Sequence, residues 1–106
     1  MQASRLGLTA KLFRGLSDPT RLSILESLCA GPLRVVDLCQ RTGRAQPNVS
    51  AHLACLRDCG LVMAAPRGRE TYYSILHAET AAILSAADDV IGQVGMRICS
   101  CRNYDV

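Results

Sequence analysis

Six of the 106 residues are cysteines, and two of them, Cys55 and Cys59, stand four apart in the stretch RAQPNVSAHLACLRDC, Arg44 to Cys59. On a helix, side chains at that spacing are neighbours, with Cβ atoms about 5–6 Å apart. A disulfide wants Cβ atoms near ~3.8 Å, so oxidation within one helix is strained. A large soft ion between two sulfurs tolerates the wider gap. Two thiolates leave such an ion unsaturated, and a third sulfur from Cys99 or Cys101 would complete a trigonal site. Cys99 and Cys101, two apart, point the same way only in an extended segment, where both could contribute. A donor set of this kind selects Cd(II), Pb(II), Hg(II) or As(III) over Mg(II) or Mn(II). The pair sits at a helix C-terminus, whose negative dipole end disfavours thiolate, and Arg57 offsets this only in part. Both thiols are therefore expected to be protonated without metal and to release protons on binding it.

The other end of the same stretch carries a different chemistry. Val49, Leu53 and Leu56 recur at helical spacing and define a buried face. At about 100° per residue, Asn48, His52, Cys55 and Cys59 fall within roughly 60° of one another, off that face. Arg44, Gln46, Asn48, Ser50 and His52 lie in or before the first turns, where a helix in a DNA major groove reaches base edges. Glutamine and asparagine suit adenine, and arginine suits guanine. The remaining cysteines, Cys29 and Cys39, fall in apolar rows and are expected in the core. His77 and the Asp88-Asp89 pair are expected on the solvated surface.

The elements that position these residues follow from periodicity and punctuation. Residues 3 to 16, with Leu6, Leu12, Phe13 and Leu16, read as a first helix. Asp18 as N-cap and Pro19 in the first turn start a second, which runs to about Ala30 before Gly31-Pro32. Val35, Leu38 and Cys39 mark a short third helix, closed near Thr42-Gly43. Pro47 at the first helical position opens the fourth helix and Gly60 stops it. Two short helices joined by a glycine-containing turn make a helix-turn-helix. Leu61 to Pro66 and Glu70 to Ile75 read as strands around a turn at Arg67-Gly68-Arg69, and a hairpin there is a wing. Arg67 and Arg69 at its tip suit a phosphate or minor-groove contact. A last helix spans Glu79 to about Val94, ending in Gly92 and Gly95, and the tail from Met96 has no clear period. The fold class is thus mainly α with a small β-hairpin: a winged helix-turn-helix, dimerised through its first and last helices. Residues 1–106 form one DNA-binding domain, with a metal-binding tail at about 96–106.

The totals fit this reading. Hydrophobic residues make up 49% and charged residues 20%, which excludes a disordered chain. In so small a chain, a dimer interface is a natural place for the apolar surplus. A net charge of +3 is compatible with a nucleic-acid partner without requiring one. No apolar run has the length of a signal peptide or membrane span, so a cytoplasmic, membrane-free protein is expected. Six cysteines in a reducing compartment are then thiols, metal ligands or redox groups rather than a disulfide frame. There is no nucleophile–base constellation, glycine-rich phosphate loop or paired carboxylate cleft, so neither an enzyme nor a small organic substrate is expected.

Asp18-Pro19-Thr20-Arg21, then Asn48-Val49-Ser50-Ala51-His52-Leu53 with Leu56, Gly60-Leu61-Val62, Gly68-Arg69 and Tyr73, strongly resembles the ArsR/SmtB family over roughly residues 5 to 94. The resemblance implies a dimeric winged-helix repressor whose free form binds operator DNA and which an inducer metal releases. One family site uses third-helix thiols, but Arg34 and Val36 stand at those positions here. Another uses His, Asp and Glu on the last helix, which offers Asp88 and Asp89 but no histidine. Cys55-Leu56-Arg57-Asp58-Cys59 is similar to the pair of the CmtR-type cadmium- and lead-responsive repressors, which add a cysteine from the C-terminal tail. The expected inducer is accordingly Cd(II) or Pb(II), with As(III) or Hg(II) sensing, or a thiol-redox response through Cys99 or Cys101, as the alternatives.

Overall fold

The computed structural model describes residues 4–102. Five helices and one hairpin follow in the order α1 (Arg5–Leu16), α2 (Pro19–Leu28), α3 (Val35–Thr42), α4 (Gln46–Asp58), β1 (Val62–Arg67), β2 (Glu70–Ile75) and α5 (Ala78–Ser100). Asp18 caps α2, its carboxylate accepting the backbone N–H of Arg21 at 3.0 Å, as the Asp-Pro signal predicts. Gly43 ends α3 with φ +70° and Gly60 follows α4 with φ +78°, a left-handed conformation that glycine adopts without a Cβ penalty. The fourth helix begins one residue before the expected position, with Ala45 as N-cap and Pro47 second in the helix.

The core is a single cluster. Leu16 of α1, Ile24, Leu25 and Leu28 of α2, Leu38 of α3, Val49, Leu53 and Leu56 of α4, and Val62 of β1 are all buried. The hairpin is antiparallel with Val62 opposite Ile75 and Arg67 opposite Glu70. Its loop is therefore Gly68-Arg69 alone, with Gly68 at φ +62°, as a two-residue hairpin with glycine first requires. Arg67, expected in the turn, belongs to β1.

Two features were not expected from the sequence. Leu33, between α2 and α3, pairs with Tyr73 of β2 through reciprocal backbone hydrogen bonds of 3.0 and 2.8 Å. This gives the wing a third, one-residue edge and ties it to the helix-turn-helix. Beside it, the Arg34 guanidinium donates to Asp37 (3.0 and 3.1 Å) and to both carboxylate oxygens of Glu70 (3.0 Å). Asp37 also accepts the Arg34 backbone N–H, closing the start of α3.

The last helix corrects the sequence reading. It runs through Gly92 and Gly95 to Ser100, not to Val94. Neither glycine has a positive φ, so neither acts as a stop. Glycine inside a helix costs about 1 kcal/mol relative to alanine, which weakens a helix without ending it. Met96 to Ser100 are helical rather than tail, Cys101 caps the helix in an extended conformation, and the end of the expected tail lies outside the described residues. Cys29 is a second correction. It is exposed at the end of α2, its thiol donating to the Leu25 carbonyl at 3.4 Å, whereas Cys39 packs against the core as expected. Phe13, Val90, Ile91 and Ile98 leave α1 and α5 with an uncovered apolar face around a groove of about 520 Å³. No helix among the described residues is long and apolar enough to cross a membrane.

The Arg34 guanidinium holds the Asp37 carboxyl below its ordinary value. A carboxyl depressed in the folded state adds stability above its unfolded pKa of about 3.9 and loses it as pH falls through the folded value. Asp37→Asn is therefore expected to lower the melting temperature at pH 7. The difference from wild type should shrink progressively below about pH 4, as thermal unfolding across pH 2–7 would report.

Candidate metal centre and nucleic-acid interface

The helix α4 presents two candidate functional surfaces because one face of it is consumed by the core. Val49, Leu53 and Leu56 are inward and at most 2% exposed, which turns Asn48, Cys55 and Cys59 outward. Cys55 is half-buried and stands one helical turn before Cys59 on the same flank. Cys59 is exposed as a residue, yet its side chain lines a groove with Leu8, Lys11, Leu12, Gly15 and Leu61. Burial against that groove pushes the Cys59 thiol above its ordinary value, and the Cys55 sulfur pushes it further. The positive charges of Arg21 and Lys11 pull only weakly the other way.

The pair is a fitting half of a soft-metal site: two sulfurs one turn apart at one helix end. Among the described residues no three His, Cys, Asp or Glu side chains converge. Cys99 lies exposed on the last turn of α5 and Cys101 just beyond it. The two tail thiols thus straddle a helix end rather than sharing an extended segment, and neither joins Cys55 and Cys59 within the protomer. The positions compared with third-helix thiols are closed to metal here, since Arg34 is committed to Asp37 and Glu70.

Arg44, Gln46 and Asn48 are exposed at the start of α4, and Ser50 is half-buried behind them. Gln46 donates to the Ser50 hydroxyl at 2.9 Å, so these two polar groups form one unit. No side chain caps α4, which leaves its first N–H groups open to an acceptor such as a phosphate. His52 is placed differently from its neighbours. Its Nδ1 accepts the Nε–H of Arg21 at 3.1 Å, and its Nε2 lies 4.0 Å from Asp18. The ring ties α4 to the start of α2. Arg67 lies with its guanidinium 4.8 Å from the Tyr72 ring centre, a cation–π arrangement, while Arg69 stands at the tip of the wing.

Sequence reasoning missed Arg21 and the Arg34–Glu70 bridge. The three-residue spacing of Arg34 and Asp37 is a readable capping signal. The pairing with Glu70, 36 residues away, has no local signature.

A recognition helix behind a short helix and a turn, followed by a two-stranded wing, defines a winged helix-turn-helix transcriptional regulator, not an enzyme. Residues 18–64 match the model of the arsR family of bacterial regulatory proteins. A probable mercury resistance operon repressor of Streptomyces lividans is 43% identical over 63% of this chain and 54% of its own length. The regulator CmtR of Mycobacterium tuberculosis is 40% identical over 77% of this chain and 70% of its own. Among solved structures, M. tuberculosis Rv0081 superposes with a TM-score of 0.82 at 31% identity, covering 92% of this chain and all of that one. A homodimeric winged helix-turn-helix DNA-binding domain of Mycobacterium bovis, Mb0332, reaches 0.74 at 29% identity, covering 88% of this chain and 90% of that one. The chain belongs to the arsR family.

Arg69, free at the wing tip, and Arg67, held on Tyr72, should contribute unequally to DNA affinity. Arg69→Ala is expected to weaken binding almost uniformly across sequences and to reduce the slope of log affinity against log salt by about one. Fluorescence anisotropy from 50 to 300 mM salt would test this, and an unchanged slope would remove the wing tip from the interface.

Proposed function

We propose that this chain is a homodimeric, metal-responsive repressor of the bacterial cytoplasm whose metal-free form binds a near-palindromic operator. A soft thiophilic metal, Cd(II) or Pb(II) in first place, would be the inducer. Cys55 and Cys59 would hold it, joined by Cys99, Cys101 or both. The observation that carries this reading is the outward-facing thiol pair, one turn apart, at the end of the helix whose first turns carry Arg44, Gln46, Asn48 and Ser50. Because the tail thiols do not reach the pair within the protomer, we assign the third sulfur to the partner's Cys99 or Cys101. The apolar face of α1 and α5 supports the dimer, with the 106 residues acting as one winged-helix unit. A second reading, Hg(II) or As(III) at the same sulfurs, is favoured by the likeness to the S. lividans repressor, whose name specifies mercury.

On the DNA side, Arg44, Gln46, Asn48 and Ser50 address base edges and Arg67 and Arg69 the backbone. His52 holds the helix-turn-helix angle through Arg21. Two recognition helices must sit about 34–36 Å apart to enter successive major grooves. A metal tying the end of each α4 to the partner's α5 fixes a different spacing. Coupling of this kind is typically about 1–3 kcal/mol, and a full switch from 99:1 to 1:99 needs about 5.5.

Cys55→Ser and Cys59→Ser are each expected to leave operator affinity within about twofold and to abolish release by Cd(II), a loss of the whole coupling of about 1–3 kcal/mol. Thiolate charge-transfer absorbance, followed alongside anisotropy on operator DNA, should vanish with them. Because the Cys59 thiol is raised and therefore protonated near neutrality, Cd(II) binding must displace protons, and apparent affinity should climb as pH rises from 6 to 8. An unchanged metal response in both variants would remove the site.

Ile91→Glu places a charge in the centre of the uncovered face, where burial without a partner is costly. It is expected to yield monomers by sedimentation and to reduce operator affinity by at least about tenfold, since a monomer reads one half-site. Dimers of undiminished affinity would move the interface elsewhere.

A further inference from the structure

Arg34 and Glu70 stand at the seam between the helix-turn-helix and the wing. Arg34 is the residue before α3, and Glu70 opens β2 directly after the wing-tip Arg69. With α4 in a major groove and the wing tip at the neighbouring minor groove, the phosphate strand between the two grooves passes this seam. Two carboxylates hold the Arg34 guanidinium in unequal ways. Asp37 takes it as a fork, accepting from Nε at 3.1 Å and from Nη2 at 3.0 Å. Both oxygens of Glu70 instead share Nη1, at 3.0 Å each. The Nη1 corner is also the more open one, since the Glu70 side chain is 50% exposed and that of Asp37 25%. One cation against two anions leaves a net negative charge beside Arg69, on a face offered to a polyanion. Joining the wing to α3 does not require that charge. Leu33 and Tyr73 already make the joint through two backbone hydrogen bonds.

We propose that Arg34 is a phosphate-binding residue that Glu70 covers in the free protein. On DNA, a backbone phosphate takes the place of Glu70 at Nη1 while Asp37 keeps the guanidinium aimed. A guanidinium presents its donors to phosphate as readily as to carboxylate, so the exchange is one charge-assisted contact for another. Both partners of the opened pair are exposed, and such pairs contribute little. The wing keeps its place through its own ladder and the Leu33–Tyr73 bridge. Glu70 therefore lowers affinity for DNA of any sequence. The inference rests on the reading of this chain as an operator-binding repressor and is independent of the inducer.

The test follows anisotropy of a labelled duplex, selected from a random pool by the reduced wild-type protein, from about 50 to 300 mM salt. Arg34→Ala is expected to reduce the slope of log affinity against log salt by about one for each protomer on the duplex. The same further reduction is expected in an Arg69→Ala background, because the two arginines meet separate phosphates. Arg34→Gln repeats the measurement with a longer side chain if Arg34→Ala loosens α3. Glu70→Gln is expected to raise affinity about two- to fivefold, the range that an exposed ion pair sets, and to lose that gain when Arg34 is replaced. An unchanged slope without Arg34 would overturn the proposal. So would a slope loss that disappears in the Arg69→Ala background, since Arg34 would then act only by placing the wing. A Glu70→Gln variant with no gain, or with the same gain in the absence of Arg34, would overturn it as well. If the wild type selects a duplex and these arms fail, the repressor reading stands and this inference alone fails. If it selects none, both fail together.

Discussion

The structure depends on the burial of one face of α4. Val49, Leu53 and Leu56 are at most 2% exposed and pack into the same cluster as Ile24, Leu25, Leu28 and Leu38. Burying side chains of this size is worth about 1.5–3 kcal/mol each, so rotation of the helix by even one residue would forfeit several kcal/mol. That constraint turns the polar first turns and the thiol pair outward. It also puts the residues proposed to read DNA and the thiols proposed to hold metal on one helix.

Polar ties supplement the core at the two joints where the helix-turn-helix could flex. Arg21 and Asp18 hold His52 at the α2–α4 junction, and Arg34 joins the start of α3 to the wing through Asp37 and Glu70. Ion pairs exposed to this extent contribute little stability, on the order of 0–1 kcal/mol. Their role is orientation. Together with the Leu33–Tyr73 bridge they set the wing against α3, and so set Arg69 relative to the recognition helix. The same arginine removes third-helix metal chemistry, which leaves the end of α4 as the place where thiols gather.

Most of the fold was legible locally. Alternating and helical periodicities identified all five helices and both strands, and Asp18, Pro19, Gly43, Gly60 and Gly68 punctuated them where the backbone requires a cap or a positive φ. The stripe of Asn48, Cys55 and Cys59 followed from helical geometry alone. Two readings failed for the same reason, that local signals were given global weight. Gly92 and Gly95 looked like stops, but both hold ordinary helical φ values and α5 passes through them. Cys29 followed an apolar row but falls at the end of α2, where the helix leaves the core.

By itself, the sequence determined where the five helices lie up to the end of α5, which face of α4 is apolar, and that two thiols stand one turn apart at the end of the recognition helix. These are consequences of covalent spacing and backbone sterics, and they need no knowledge of what lies nearby. Tertiary structure alone decided that His52 is held by Arg21, that Arg34 spans to Glu70, that Cys99 is carried on a helix away from the pair, and that Cys59 opens onto an apolar groove. Each of these concerns the relative placement of residues far apart in the chain. Such contacts arise from how whole elements pack, which no short stretch of sequence encodes.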